Sequence, residues 1–396
     1  MPIEFSQLAA QVEKMVDSVD EEGKKRRERL ERARKAFAEA DADVLSKKIT
    51  SSKTPWPVAG ITRGFNRQCD PPPCPQEFTV LATDGSNIDV DRHNSVRCCL
   101  INTGTVSIHY GVKPDAQLSS EATILFGDKL EMTDEAGVRT KLIEGLMGIK
   151  RSIAECAALA DAVAKQPSAR TTLAMMDGSL MLWGLSPEDY EGFVREELLD
   201  KGYFSSFDRM KKCSIEGSFA LCAYTSFPRN TEVTNAMRVY MCGRDSLDCE
   251  RCCQEKRKRE CDDVAGVTDG VLFDTLLGVG QRSAVFSSGW QNVQKYYGEH
   301  KISFFYLKAG DEIARIEIPQ WVAERDELVG LVHALALDQC RRGQGYPVAL
   351  MEAHEKAVVT GADREAFRLL VERAMADRGM NIQTSGKSRS KRTWGV

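Results

Sequence analysis

The chain has 396 residues, a net charge of −4, 42% hydrophobic and 28% charged residues, and 13 cysteines. This composition excludes a collagenous, disordered or coiled-coil protein as the class of the chain. The length suits two or three domains, or one elaborated α/β domain, and such a chain buries a core without disulfide staples. No apolar run is long enough to span a membrane. The start, Met1-Pro2-Ile3-Glu4-Phe5, lacks the basic and apolar segments of a secretory signal, so a cytoplasmic protein is expected. The small negative charge means that any nucleic-acid contact must rest on local positive charge.

Residues 1–50 read as an N-terminal helical arm, with Leu8, Val12, Met15 and Val19 at helical spacing. Its Glu21–Lys35 stretch holds eight basic and four acidic side chains, either a solvated face or a basic surface for DNA or a partner. Residues 51–76 form a Pro-rich linker that is neither helix nor central strand. Strands are expected over Phe78–Thr83, Ser95–Ile101 and Gly104–Tyr110, the last two joined by a turn at Asn102-Thr103. A looser polar stretch follows. Leu142, Leu146, Ile149, Ile153, Cys156 and Ala160 then mark a helix, and Thr171–Met176 a further strand. Ser218–Thr225, Ile302–Lys308 and Glu312–Ile318 read as strands, and 187–201, 231–240, 322–341 and 363–378 as helices. The order indicates an α/β or α+β core.

Two strand ends share one pattern, Thr83-Asp84-Gly85-Ser86 and Met176-Asp177-Gly178-Ser179. A buried strand delivers an aspartate to the sheet edge and glycine lets the backbone turn at once. One such tripeptide is an ordinary capped turn. Two copies separated by strands and a helix suggest carboxylates converging on a divalent cation such as Mn²⁺ or Mg²⁺. The intervening helix then supplies a third acid, Glu155, with Glu144 in reserve. Strand-end Asp, helix Glu and strand-end Asp is the order of acids in a ribonuclease-H-like nuclease core.

His354 stands among acids in Glu352-Ala353-His354-Glu355, where it serves as a Mn²⁺ ligand, a proton shuttle or a helix-end structural residue. Tyr346 orients a phosphate or water, or packs beside Pro347. His93, His109, His300 and His333 read as structural.

Taken together, Asp84-Gly85-Ser86, Arg151-x-x-x-Glu155, Asp177-Gly178-Ser179-Leu180, Tyr346-Pro347 and His354 resemble the NurA family of DNA-end-processing nucleases. The likeness extends through Phe304-Phe305-Tyr306, Glu317-Ile318-Pro319 and Gly345–His354 to the basic end of the chain. The resemblance implies a ribonuclease-H-like mixed sheet flanked by helices and Mn²⁺-dependent DNA cleavage of the 5′–3′ exonuclease and single-strand endonuclease type. It also implies a homodimer, and work with a HerA-type hexameric DNA-translocating ATPase in double-strand-break repair. Carried over by position, Asp84, Glu155, Asp177 and His354 bind metal and Tyr346 completes the catalytic set. The domain so defined covers 77–380. Residues 1–76 match nothing in the family.

Within 242–263 lies a Cys-rich insertion. Cys242, Cys249, Cys252 and Cys261 could hold a structural Zn²⁺, although a second C-x₂-C is missing; free thiols or redox chemistry are the alternatives. Lys256–Arg259, flanked by Glu255 and Glu260, reads as a solvated loop. In the tail, 381–396, Lys387, Arg389, Lys391 and Arg392 are DNA-contact candidates, or simply a basic tail; Arg229 and Arg282 are weaker ones. Two other readings stand beside the nuclease: a non-catalytic DNA-binding or assembly subunit of a translocase complex, and a metal-dependent phosphoesterase acting on small molecules.

Overall fold

The computed structural model describes residues 5–62, 64–89, 97–133, 137, 139–141, 144–183, 192–243, 248–252 and 259–380. The chain divides into two compact units, Met1–Pro71 with Thr225–Glu317, and Pro72–Tyr224 with Ile318–Val396. Both mix strands and helices, so the chain is mixed α/β. Among the described residues, no helix is long and apolar enough to cross a membrane.

The second unit is organised around strand Phe78–Ile88. It pairs antiparallel with Cys98–Tyr110, which pairs antiparallel with Asp115–Phe126. On its other side it pairs parallel with Thr172–Asp177, and that strand pairs parallel with Phe219–Thr225. Parallel neighbours need a long crossover, supplied here by helix Glu144–Ala164. The central strands are buried on both faces, which is why Val80-Leu81-Ala82, Leu173-Ala174-Met175 and Ala220-Leu221-Cys222-Ala223 are continuous apolar runs. Helix Glu144–Ala164 buries Leu146, Met147, Ile149, Cys156, Leu159 and Val163.

Several elements differ from expectation. Cys98–Tyr110 is one strand without a turn: Asn102 and Thr103 pair with Ser86 and Gly85 on one side and with Ala122 and Glu121 on the other, so both sides of their backbone are satisfied. The polar stretch expected to be loose contains the twelve-residue strand Asp115–Phe126, nearly all of it exposed. The strand does alternate, with Ala116, Leu118, Ala122, Ile124 and Phe126 at one set of positions and Asp115, Gln117, Ser119, Glu121 and Thr123 at the other, but neither face is buried within the chain. The first strand continues through Asp84-Gly85-Ser86 to Ile88 and makes no turn at Gly85. The helix expected over 187–201 has its first residues outside the described ones. It runs from Gly192 through a π-helical stretch, Glu196–Phe204, into Ser205–Glu216. The apolar face carrying Leu198, Leu199, Tyr203, Phe204, Phe207 and Met210 is buried on both sides of Gly202, which keeps the helix going past it.

In the first unit, helix Phe5–Glu39 is followed by Ala42–Thr50, whose first turn is capped by Asp41 accepting from the Val44 amide at 2.9 Å. Strands Gln68–Cys69, Arg282–Ser283, Ile302–Lys308 and Ile313–Pro319 lie in that order, with Phe286–Ser287 also pairing to Ile302–Lys308. Gly310, at φ +87°, makes the hairpin turn between the last two long strands. Phe37, Phe65, Phe273, Phe286, Phe304 and Tyr306 form the aromatic centre of this core. Buried Asp269 accepts from the Val233 and Thr234 amides at the start of helix Glu232–Met241, and from the Tyr306 hydroxyl. Arg315, also buried, is held between Glu232 and Glu317 at 2.8 and 2.9 Å.

Candidate active site

The parallel register places Thr83 beside Met176, so Asp84 and Asp177 emerge at the same end of adjacent strands. Their glycines do different work. Gly178 has φ +84° and turns the chain. Gly85 stays in the strand, and a Cβ there would come within 2.5 Å of Glu155 Oε1 and 2.9 Å of Arg151 Cγ. Only the missing side chain lets helix Glu144–Ala164 lay Arg151 and Glu155 across the strand next to Asp84. A hydrogen bond of 3.0 Å from Thr83 Oγ1 to the Glu155 carbonyl fixes the helix at that level.

The C-terminal half of the second unit reaches the same place. Gln344 and Gly345 both have positive φ, 56° and 119°, and this turn delivers Tyr346. Its hydroxyl donates to Asp177 Oδ1 at 2.9 Å, and its ring meets that of Tyr224 edge-on at 5.4 Å. Gln339, fully buried, accepts from the Ala349 amide and donates to the Tyr110 hydroxyl, tying down the start of helix Val348–Ala357. The end of that helix is held by Ser86 and Asn102, which both donate to the Ala357 carbonyl. Gly104, opposite Asp84 in the neighbouring strand, lies under it; a Cβ there would be 2.4 Å from the Ala353 carbonyl oxygen. His354 thereby sits with Nδ1 2.7 Å from Asp84 Oδ2, while Asp84 Oδ1 accepts from the Gly85 amide.

Three carboxylates from three elements thus converge, each with a different partner: Asp84 bonds His354, Asp177 bonds Tyr346, and Glu155 forms an ion pair with Arg151 Nε at 3.1 Å. Burial pushes Glu155 up to about 7; Arg151 opposes the rise, and the charges of Asp84 and Asp177 add to it. Asp177 is open to solvent on one side, yet desolvation by the protein around its carboxylate raises its pKa. The Tyr346 hydrogen bond pulls the other way and the Asp84 charge adds to the rise. Such an accumulation of negative charge is what a divalent cation neutralises. In the present side-chain arrangement, no group of three or more His, Cys, Asp or Glu among the described residues closes around a single point as a metal shell. By donor chemistry the set fits a hard cation, three carboxylates with an imidazole alongside; by present geometry it is not closed.

Among the other sequence candidates, the side chain of Glu144 lies outside the described residues, as do His93, Lys256–Lys258 and the tail with Lys387, Arg389, Lys391 and Arg392. Cys242 is half-buried and Cys249 and Cys261 are buried, and the side chain of Cys252 is outside the described residues. Arg229 is exposed in its loop; Arg282 is half-buried, donates to the Ser283 carbonyl and lies over the Phe305 ring. Both belong to the first unit. His109 bonds Thr79 at 3.1 Å, and His300 and His333 are buried. Sequence reasoning missed the anchoring roles of Gly85, Gly104, Ser86, Asn102 and Gln339. The Arg151–Glu155 contact follows from their spacing of four on one helix.

No curated protein matches the chain. Among solved structures, a crystal structure of prototype foamy virus protease–reverse transcriptase aligns at 18% identity over 37% of this chain and 17% of that one, with a TM-score of 0.20. Aquifex aeolicus Argonaute aligns at 12% identity over 71% of this chain and 28% of that one, with a TM-score of 0.23. The chain therefore spans less than a third of either protein, and likenesses this slight carry no argument. The NurA domain model, by contrast, matches residues 78–359, a span that contains Asp84, Glu155, Asp177, Tyr346 and His354. With most of its length matched in this way, the chain belongs to the NurA family.

Proposed function

We propose that this chain, a member of a nuclease family acting on DNA, is a metal-dependent deoxyribonuclease that trims DNA ends in double-strand-break repair. Its activity is of the 5′–3′ exonuclease and single-strand endonuclease type. The observation that carries the reading is the meeting of Asp84, Glu155 and Asp177, each with its own partner, at one end of two adjacent parallel strands. The order of the second unit's strands within the large sheet supports a ribonuclease-H-like fold: numbered along the chain, third, second, first, fourth, fifth, with the first and fourth parallel.

Asp84, Glu155 and Asp177 would hold Mn²⁺, or Mg²⁺, through carboxylate oxygens, with His354 as the nitrogen donor. When bound, such an ion supplies Lewis-acid polarisation of the phosphoryl group and an activated water. The chain's own residues prepare the site for it. Tyr346 orients Asp177 and favours its ionised form. Arg151 offsets part of the charge on Glu155 until a cation does so. With Nδ1 committed to the Asp84 carboxylate, Nε2 is the nitrogen that His354 would offer to the ion. Its side chain is 64% exposed, open enough to reach a substrate. The family resemblance supports a homodimer and partnership with a HerA-type hexameric ATPase. Digestion of 5′- and 3′-labelled single-stranded DNA across a Mn²⁺ titration tests the reading: cleavage that appears with metal and stops with chelator is expected. DNA binding without cleavage at any metal concentration would favour an assembly subunit instead.

A further inference from the structure

The first half of helix Phe5–Glu39 carries Phe5, Leu8, Val12, Met15 and Val19 at alternating steps of three and four, with Val16 beside them. All six are exposed, from 37% at Leu8 to 76% at Phe5. The second half of the same helix uses the same stripe for packing. Ala33, two heptads beyond Val19, is buried with Ala36, Phe37 and Ala40, and Leu30 packs beside them in the core of the first unit. The same register is therefore apolar and covered along the inner end of the helix and apolar and open along the outer end, with Glu22, Arg26 and Arg29 at the seam positions between.

We propose that the outer half of this helix pairs with the same segment of a second copy of the chain, as a short two-stranded coiled coil. The three-four spacing is the seam of helices packed side by side. The positions flanking that seam decide between a second copy and other occupants. They are Ala9, Gln11, Val16 and Ser18, all uncharged, so two copies meet no like charge beside their apolar stripes. An anionic lipid surface would call for Lys or Arg along the border of the stripe, and that border is neutral until Lys25. The register places Glu13 and Lys14 away from the seam.

The pairing is antiparallel. Side by side in parallel, Glu22, Arg26 and Arg29, which follow at seam positions, would each face their own counterpart. Antiparallel, Arg26 and Arg29 run past Phe5 of the other helix and escape this repulsion. Five apolar layers make a marginal coil alone, so the contact is concentration-dependent. The arm lies outside the NurA match at 78–359, so this surface is additional to any the family domain uses.

The test uses the purified full-length chain with the photoreactive amino acid p-benzoylphenylalanine at Val12, in the seam, or at Glu13, outside it. Irradiation is expected to give a covalent dimer from the Val12 probe and little from the Glu13 probe. The dimer band should be lost when Leu8→Glu and Met15→Glu are added. Circular dichroism of the double variant keeps that loss interpretable, since these exposed changes leave the inner core intact. Equal yields from both positions, monomer only from the Val12 probe, or a dimer that survives the double variant would overturn the pairing. None of these outcomes depends on whether the chain cleaves DNA.

Discussion

His354 Nδ1 lies 2.7 Å from Asp84 Oδ2 although 270 residues separate them in the chain. The contact exists because Gly104 lets helix Val348–Ala357 settle on the strand beside Asp84, while Ser86 and Asn102 bind its last carbonyls. The same strand end meets Glu155 through the space left by Gly85. Two glycines on adjacent strands therefore set two distances within the acid cluster.

Gly85→Ala tests the second of these. A methyl group would overlap both Glu155 and Arg151, and overpacking of this kind costs about 1–3 kcal/mol in stability. Cleavage should fall by roughly 100-fold, the scale of a 1 Å misplacement of a catalytic group. Gly178→Ala provides the contrast. That position has open space around its Cβ and φ +84°, so the cost is about 1 kcal/mol of backbone strain. Urea unfolding and single-turnover cleavage on the two variants separate contact from turn.

Glu155 also makes stability depend on pH. Its carboxyl titrates near 4.5 when unfolded and near 7 when folded. Between these values the folded state keeps a proton that the unfolded state has lost, so stability falls as pH rises from 4.5 to 7. Above pH 7 the full penalty is present, on the order of 3 kcal/mol. Glu155→Gln removes it. In chelator-treated protein, the variant should gain stability over the native chain at pH 8 and gain none at pH 4.5. An equal difference at both pH values would mean that Glu155 does not carry the penalty.

Tyr346→Phe keeps the ring against Tyr224 and removes only the hydroxyl that lowers the pKa of Asp177. The Asp177 pKa should then rise further, and the acid limb of the pH–rate profile should move to higher pH. Loss of such an outer hydrogen bond typically costs 10- to 100-fold in metal affinity, measurable by titration calorimetry with Mn²⁺. An unchanged acid limb together with unchanged affinity would reduce Tyr346 to a packing residue.

Apolar runs followed by Asp-Gly-Ser made the two acid strands legible, and three- and four-residue spacing made the Glu155 helix legible. These signals are local: a strand buried on both faces must be apolar throughout, and a helix packed on one side must repeat. Strand Asp115–Phe126 carries a weaker alternation, Ala116, Leu118, Ala122, Ile124 and Phe126, broken at Ser120; nearly all of it faces solvent, so it does not stand out as a buried strand would. Asn102-Thr103 carried turn chemistry that pairing on both sides overrode. Gly85 looked like a second turn, since glycine in a sequence does not reveal whether it frees the backbone or admits a neighbour. The approach of Tyr346 to Asp177, and the clamp at Gln339, depend on contacts between distant segments that no local pattern encodes.

The most direct measurement is single-turnover cleavage of labelled single-stranded DNA with Mn²⁺ by Asp84→Asn, purified free of contaminating nuclease. Asparagine keeps the shape of the side chain and removes the charge that engages His354 and that raises the pKa of Glu155 and Asp177. Loss of cleavage, with unfolding and DNA binding close to those of the native chain, is the expected result. Full activity in that variant would contradict the assignment of the three-carboxylate cluster as the catalytic centre.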